Sequence, residues 1–190
     1  RGWNLVGSVE YAGGFLGGDN YFWRPEVHLS RFQPLTNTPI KTLAAFNVEA
    51  GIVTPFDGRE VVPLERYFMG GENSIRGFQF RSIYVTDEVT GLPVLQDGNF
   101  KGGNKFLQMN VELQVLFGGP FRMIAFIDGG NVFDDDQSID LNRLRMSAGG
   151  ELRIFVPIFG APLRFIYSSN LDPTPLDRFE SFQFSIGATF

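Results

Sequence analysis

The sequence predicts an all-β protein: an antiparallel transmembrane β-barrel segment, residues 1–190, with eight strands and a long loop between the third and the fourth. Three observations predict it. Apolar residues recur at every second position, which puts one face of each strand in an apolar medium and the other in a polar one. Although 43% of the residues are apolar, the longest unbroken apolar run is Met123 to Ile127. Connections alternate between short turns and longer polar loops, the habit of transmembrane barrels.

The elements follow in order. In the first strand Trp3, Leu5, Val9 and Tyr11 alternate with Asn4, Ser8 and Glu10. Gly13 to Gly18 then lacks both the lysine of a phosphate loop and a following helix, so it reads as a hairpin loop. Trp23, Val27 and Leu29 alternate with Arg24, Glu26, His28 and Ser30 in the second strand, and Phe46, Val48, Ala50 and Ile52 with Asn47, Glu49 and Gly51 in the third. Residues 55–104 form the long loop, expected on the extracellular side and, at that length, expected to be functional. The fourth strand carries the cleanest pattern: Leu107, Met109, Val111, Leu113, Val115 and Phe117 against Gln108, Asn110, Glu112 and Gln114. Gly118-Gly119-Pro120 is a tight turn, Phe121 to Phe133 a looser fifth strand, and Asp134 to Arg143 a longer polar loop. Leu144, Met146, Ala148, Leu152, Ile154 and Val156 alternate with Arg145, Ser147, Glu151 and Arg153 in the sixth. A tight turn at Ile158 to Ala161, a seventh strand Leu163 to Asn170 and a polar loop Leu171 to Glu180 lead to the last strand. There Phe182, Phe184, Ile186, Ala188 and Phe190 alternate with Gln183, Ser185, Gly187 and Thr189. Each run suits the roughly 9–11 residues of a tilted membrane strand.

A soluble sandwich also alternates. Two features favour the membrane barrel. Charges sit on the polar face, among them Glu10, Arg24, Glu112, Glu151, Arg153 and Arg164, while the apolar face is almost free of them. Aromatics gather near strand ends (Trp3, Tyr11, Trp23, Phe32, Phe117, Phe133, Phe190), where an interfacial girdle lies.

Composition narrows the function. No apolar stretch approaches the ~20 residues of a membrane helix, and no N-terminal stretch resembles a signal peptide. The chain begins at Arg1, which reads as a mature protein or an excised piece. Without cysteine there is no disulfide framework and no thiolate zinc site. A net charge of −5 argues against nucleic acid as a partner. The sole histidine, His28, lies on a polar strand face, where a hydrogen-bonding role outweighs a catalytic or metal-binding one. Asp134-Asp135-Asp136 lacks the spaced ligands of a calcium loop. No enzyme and no cofactor is expected.

Two constellations remain. Gly70-Gly71-Glu72-Asn73-Ser74-Ile75-Arg76-Gly77-Phe78 presents Arg76 on a compact glycine-rich turn, and Glu112 and Asp128 offer carboxylates for a bidentate, charge-assisted clamp. In Phe126-Ile127-Asp128-Gly129-Gly130, a Gly-Gly pair inside a strand marks a bulge or the close approach of another backbone. By spacing alone an exposed loop arginine is the commoner case, and by composition alone a strand ending in a glycine turn is favoured.

Ile75-Arg76-Gly77-Phe78 resembles the loop signature, and Phe126-x-Asp128-x-Gly130 the strand signature, of the BamA/TamA superfamily of outer-membrane β-barrel assembly factors. Phe182 to Phe190 resembles its aromatic-terminated C-terminal signal. The three occur in the family's order, about 50 and 60 residues apart, and the likeness covers essentially the whole chain as the C-terminal half of the family's barrel. The resemblance implies that the loop with Gly70, Gly71, Ile75, Arg76, Gly77 and Phe78 folds back onto a wall formed by Glu112, Phe126, Asp128 and Gly130. It implies a lateral gate at Phe182, Phe184, Ile186, Gly187 and Phe190, with Gly187 the point where the last strand bends inward. It further implies a non-enzymatic insertase in the bacterial outer membrane. Its partners would be the lipid bilayer, unfolded β-barrel clients and accessory assembly lipoproteins. The family's N-terminal half-barrel and periplasmic (POTRA) domains have no counterpart in these residues. Three closures are open: half of a larger barrel paired with a second half, a pair of copies, or a small closed barrel. The last is too narrow for a docked loop. Alternatives in function are a related secretion pore, the barrel anchor of a patatin-like phospholipase, or a passive channel.

Overall fold

The computed structural model describes residues 2–36, 40–156 and 160–187. Among the described residues seven long strands and a short last one form one antiparallel sheet in which each neighbours the next of the set: β1 (Gly2–Ala12), β2 (Phe22–Thr36), β3 (Lys41–Ile52), β7 (Lys105–Leu116), β8 (Phe121–Phe133), β9 (Arg145–Val156), β10 (Ala161–Asn170) and β11 (Phe182–Ile186). Inside the long connection, β4 (Thr54–Pro55) adds to β2, while β5 (Leu95–Gln96) and β6 (Asn99–Phe100) make a separate small hairpin. The order is a simple up-and-down meander, so the connections divide between two ends. One end carries residues 13–21, 53–104, 134–144 and 171–181; at the other β2 passes to β3, β7 to β8 and β9 to β10. The expected tight turn at Ile158 to Ala161 falls partly outside the described residues, as does Phe190.

Burial runs opposite to that of a water-soluble sheet. Along β7, Gln108, Asn110, Glu112 and Gln114 are buried, while Val111 and Leu113 of the alternate set are 47% and 45% exposed. On β9, Ser147, Glu151 and Arg153 are buried, and Met146 and Leu152 are exposed. An apolar surface of this extent is expensive in water and is stable when the medium outside is lipid. Trp3, Tyr11, Trp23, Phe32 and Phe117 are exposed as a girdle requires. Phe133 is not. It is fully buried, at the end of β8 where Asn104 N–H donates to its carbonyl and Asn131 donates to the carbonyl of Arg143.

Residues 53–104 pack onto the polar face and supply half of the buried apolar residues among those described. Met69, Ile75, Phe78, Ile83 and Val85 of this loop meet Val132 of β8, with Phe106 and Phe179 against them. Gly129-Gly130 introduces no bulge, since the register of β7 with β8 and of β8 with β9 runs through without a shift. It marks a close approach: a Cβ on Gly130 would crowd Met69 Cε and Ile75 Cδ1. Among the described residues no pairing joins β1 to β11, so the sheet stays open and both outer strands keep a free edge.

Candidate functional site: a buried arginine on the barrel wall

The turn that carries Arg76 is shaped by glycines. Gly70, Gly71 and Gly77 adopt φ of 102°, 106° and 91°, and the turn closes through hydrogen bonds from Gly71 N to Phe78 O and from Ser74 N to Gly71 O. At Gly77 a side chain has no room, because a Cβ would collide with the Phe179 ring and Ser168 Oγ. Ser74 Oγ donates to Gln108, and Asn110 donates to the carbonyl of Ser74, so the turn rests on β7 before its arginine is considered.

Arg76 is wholly buried and grips Asp128 bidentately: Nε to Oδ2 at 2.7 Å and Nη2 to Oδ1 at 2.7 Å. Its Nη1 reaches Glu112 Oε1 at 2.8 Å and Glu151 Oε2 at 2.9 Å. Its own backbone N–H donates to Asp128 Oδ2, and the guanidinium carbon stands 3.7 Å from the centre of the Phe126 ring. Two further arginines complete the cluster. Arg153 Nη2 meets Glu112 at 3.2 Å, and Arg164 Nε meets Glu151 at 2.7 Å while its Nη1 and Nη2 hold Asn73 and the carbonyl of Glu72. Three arginines thus face three carboxylates, and that balance is what permits burial. Burial alone works to lower the Arg76 pKa. The hydrogen bond to Asp128 and the charges of Asp128, Glu112 and Glu151 outweigh it, so the guanidinium is held more firmly protonated than usual.

The expected partners Glu112, Phe126, Asp128 and Gly130 all lie under the loop motif. Glu151, Arg153 and Arg164 were expected only as polar-face residues; their parity could have suggested the cluster, but not that the loop reaches them. Ile124 and Ile166, on the same face, pack with Phe126 into a small apolar patch beside the ion cluster. Phe182, Phe184 and Ile186 point outward on β11 and are exposed. Gly187 lies just past the strand, at φ 144°, a conformation closed to other residues, with its N–H still on the carbonyl of Pro162. Among the described residues no group of acidic, histidine or cysteine side chains is arranged to hold a metal.

A second arginine clamps the base of the loop. Arg24 of β2 binds Glu10 of β1 at 2.9 Å and Glu65 of the loop at 2.6 Å, and Tyr67 donates to Glu26 at 2.8 Å. Burial, then the hydrogen bond to Glu26, push the Tyr67 phenol upward.

The Omp85 superfamily domain matches residues 1–190. The outer membrane protein assembly factor BamA of Nitratidesulfovibrio vulgaris is 29% identical over 95% of this chain, which spans 22% of that protein. BamA of Neisseria meningitidis serogroup B is also 29% identical, over 84% of this chain and 23% of its own length. The sorting and assembly machinery component 50 homolog of Mus musculus is 25% identical over 63% of this chain. The chain therefore spans less than a quarter of the bacterial relatives it matches. In fold it is similar to the crystal structure of BamA from Haemophilus ducreyi lacking POTRA domains 1–3, with a TM-score of 0.77 over 96% of this chain and 37% of that one, at 24% identity. A family match along the whole length, on a sheet whose apolar side faces outward, makes this chain an outer-membrane β-barrel member of the Omp85 superfamily.

Proposed function

We propose that the chain is the C-terminal barrel portion of an assembly factor that folds and inserts other β-barrel proteins, without enzymatic chemistry. The observation that carries this reading is the β11 edge, unpaired among the described residues, on a sheet whose wall is locked from inside. An unpaired edge is a template for another strand, and β11 (Phe182–Ile186) offers one beside the loop. The buried Arg76–Asp128–Glu112–Glu151 cluster holds the wall stiff, so that movement concentrates at the edge. Phe182, Phe184, Ile186 and Gly187 then form one lip of a lateral gate, with Phe190 beyond the described residues. The loops at the 53–104 end face outward from the cell, and client capture and accessory lipoproteins belong to periplasmic domains and partners outside this chain. The names of the bacterial relatives, outer membrane protein assembly factors, support the same reading.

Reconstitution into liposomes tests it. The protein should accelerate folding of an unfolded client barrel over empty vesicles, and Arg76→Ala should abolish that gain. Ion conductance with no acceleration of client folding would assign a passive channel instead.

A further inference from the structure

β11 is five residues long, and among the described residues its backbone ladder joins one strand only, β10. Its second attachment is to the arginine loop. Gln183 points inward and uses both ends of its amide on the two residues that follow Arg76: Gly77 N–H donates to Oε1 at 2.7 Å, and Nε2 donates to Phe78 O at 3.2 Å. The segment just before the strand continues the contact. Glu180 N–H donates to Gly77 O at 2.7 Å, Gln79 N–H donates to Arg178 O at 2.9 Å, and the Phe78 and Phe179 rings meet edge to face. Gly77 therefore has its N–H on the edge strand, its carbonyl on the approach to it, and its preceding residue in the buried ion cluster. A polar residue that merely fills the lumen has no need to engage one peptide pair from both sides.

We infer that Gln183 is a positioning residue that couples the free β11 edge to the Arg76 cluster, so that displacement of the edge by a pairing strand is transmitted to the loop, and the docked loop in turn holds the edge in register. This rests on the proposed assembly role for its purpose, though not for its existence. A side chain of similar size without hydrogen-bonding atoms separates the two. Hydrogen exchange on the protein in lipid vesicles should show the Gly77 amide of Gln183→Leu exchanging about tenfold faster, the scale of one lost hydrogen bond. The β11 amides should also exchange faster, with those of β7 to β9 unchanged. Gln183→Glu keeps the acceptor for Gly77 and loses the donor to Phe78, so it should retain Gly77 protection and serves if the leucine variant does not fold. Coupling has its own readout. Arg76→Lys, or Glu112→Gln if the lysine variant does not fold, should loosen β11 in the parent protein and add nothing in Gln183→Leu. Equal Gly77 protection in Gln183→Leu, or equal loosening of β11 in both backgrounds, overturns the inference. Client folding should slow several-fold in Gln183→Leu. A parent protein inactive in that assay counts against the assembly role, whereas a leucine variant as active as its parent counts against Gln183.

Discussion

Two arginines tie the long loop to the sheet, and they do so in opposite electrostatic settings. Arg76 faces Asp128, Glu112 and Glu151 with every one of these side chains at most 1% exposed; Arg24 faces Glu10 and Glu65 with side chains 55% and 29% exposed. The donors, the acceptors and the distances are alike. What differs is the cost of removing one partner. In water an orphaned carboxylate is solvated; on the buried wall Asp128 would be left without water or the guanidinium it grips, while Glu112 and Glu151 keep Arg153 and Arg164. The Arg76 clamp therefore behaves as a single unit that is present or absent as a whole, while the Arg24 clamp is adjustable.

The largest effect expected from that contrast is on Arg76→Ala, which should lower stability by about 3–5 kcal/mol in denaturant unfolding from lipid vesicles. A loss below about 1 kcal/mol would place the two clamps in one class and remove the distinction. Pairing it with Asp128→Asn should cost much less than the sum of the two single changes, because the second removes a charge left bare by the first. Next in size is Gly77→Ala, where positive φ and the collision with Phe179 and Ser168 act together, for about 1–3 kcal/mol. Gly58→Ala, at φ 68° with open space around its Cβ position, isolates the backbone part and should cost less by the same measurement. Arg24→Ala should cost about 0.2–1 kcal/mol. The smallest effect is that of salt. Raising ionic strength from about 0.1 to 1 M shortens the screening length from roughly 10 to 3 Å. That should erase the Arg24 difference between parent and variant and leave the Arg76 difference nearly unchanged.

The outer face was legible in the sequence because lipid imposes a strict rule on it: Val111, Leu113, Met146 and Leu152 alternate and stay exposed. The two halves of the clamp were legible for a different reason. Arg76 sits among glycines that only a close approach explains, and Gly130 marks where that approach arrives. Glu151 and Arg164 could not be assigned to the cluster, since parity says which face a residue takes and nothing about the height at which a loop meets it. That height follows from the stagger of the ladder, which sets Glu112 opposite Phe126 and Glu151 opposite both Ile124 and Ile166. Phe133 was misplaced because the alternation ceases to report the environment where strands leave the apolar layer and loops cover both faces. Gln183 carried no signal of its own, since a polar residue on the inward face of a barrel strand is ordinary.

Most bonds of the Arg76 loop are made to residues that follow it in the chain: Glu112, then Asp128, Glu151, Arg164 and, on β11, Gln183, 106 positions after Gly77, and Ser185. Contacts between such distant positions close late in folding, because the chain entropy of a large loop must be lost before they form. Each strand from β7 to β11 supplies one more anchor as it is laid down. The loop thus waits for β11, 106 positions beyond Gly77. Docking of the Arg76 loop is complete only when β11 is in place, because without it Gly77 and Phe78 lack the amide of Gln183.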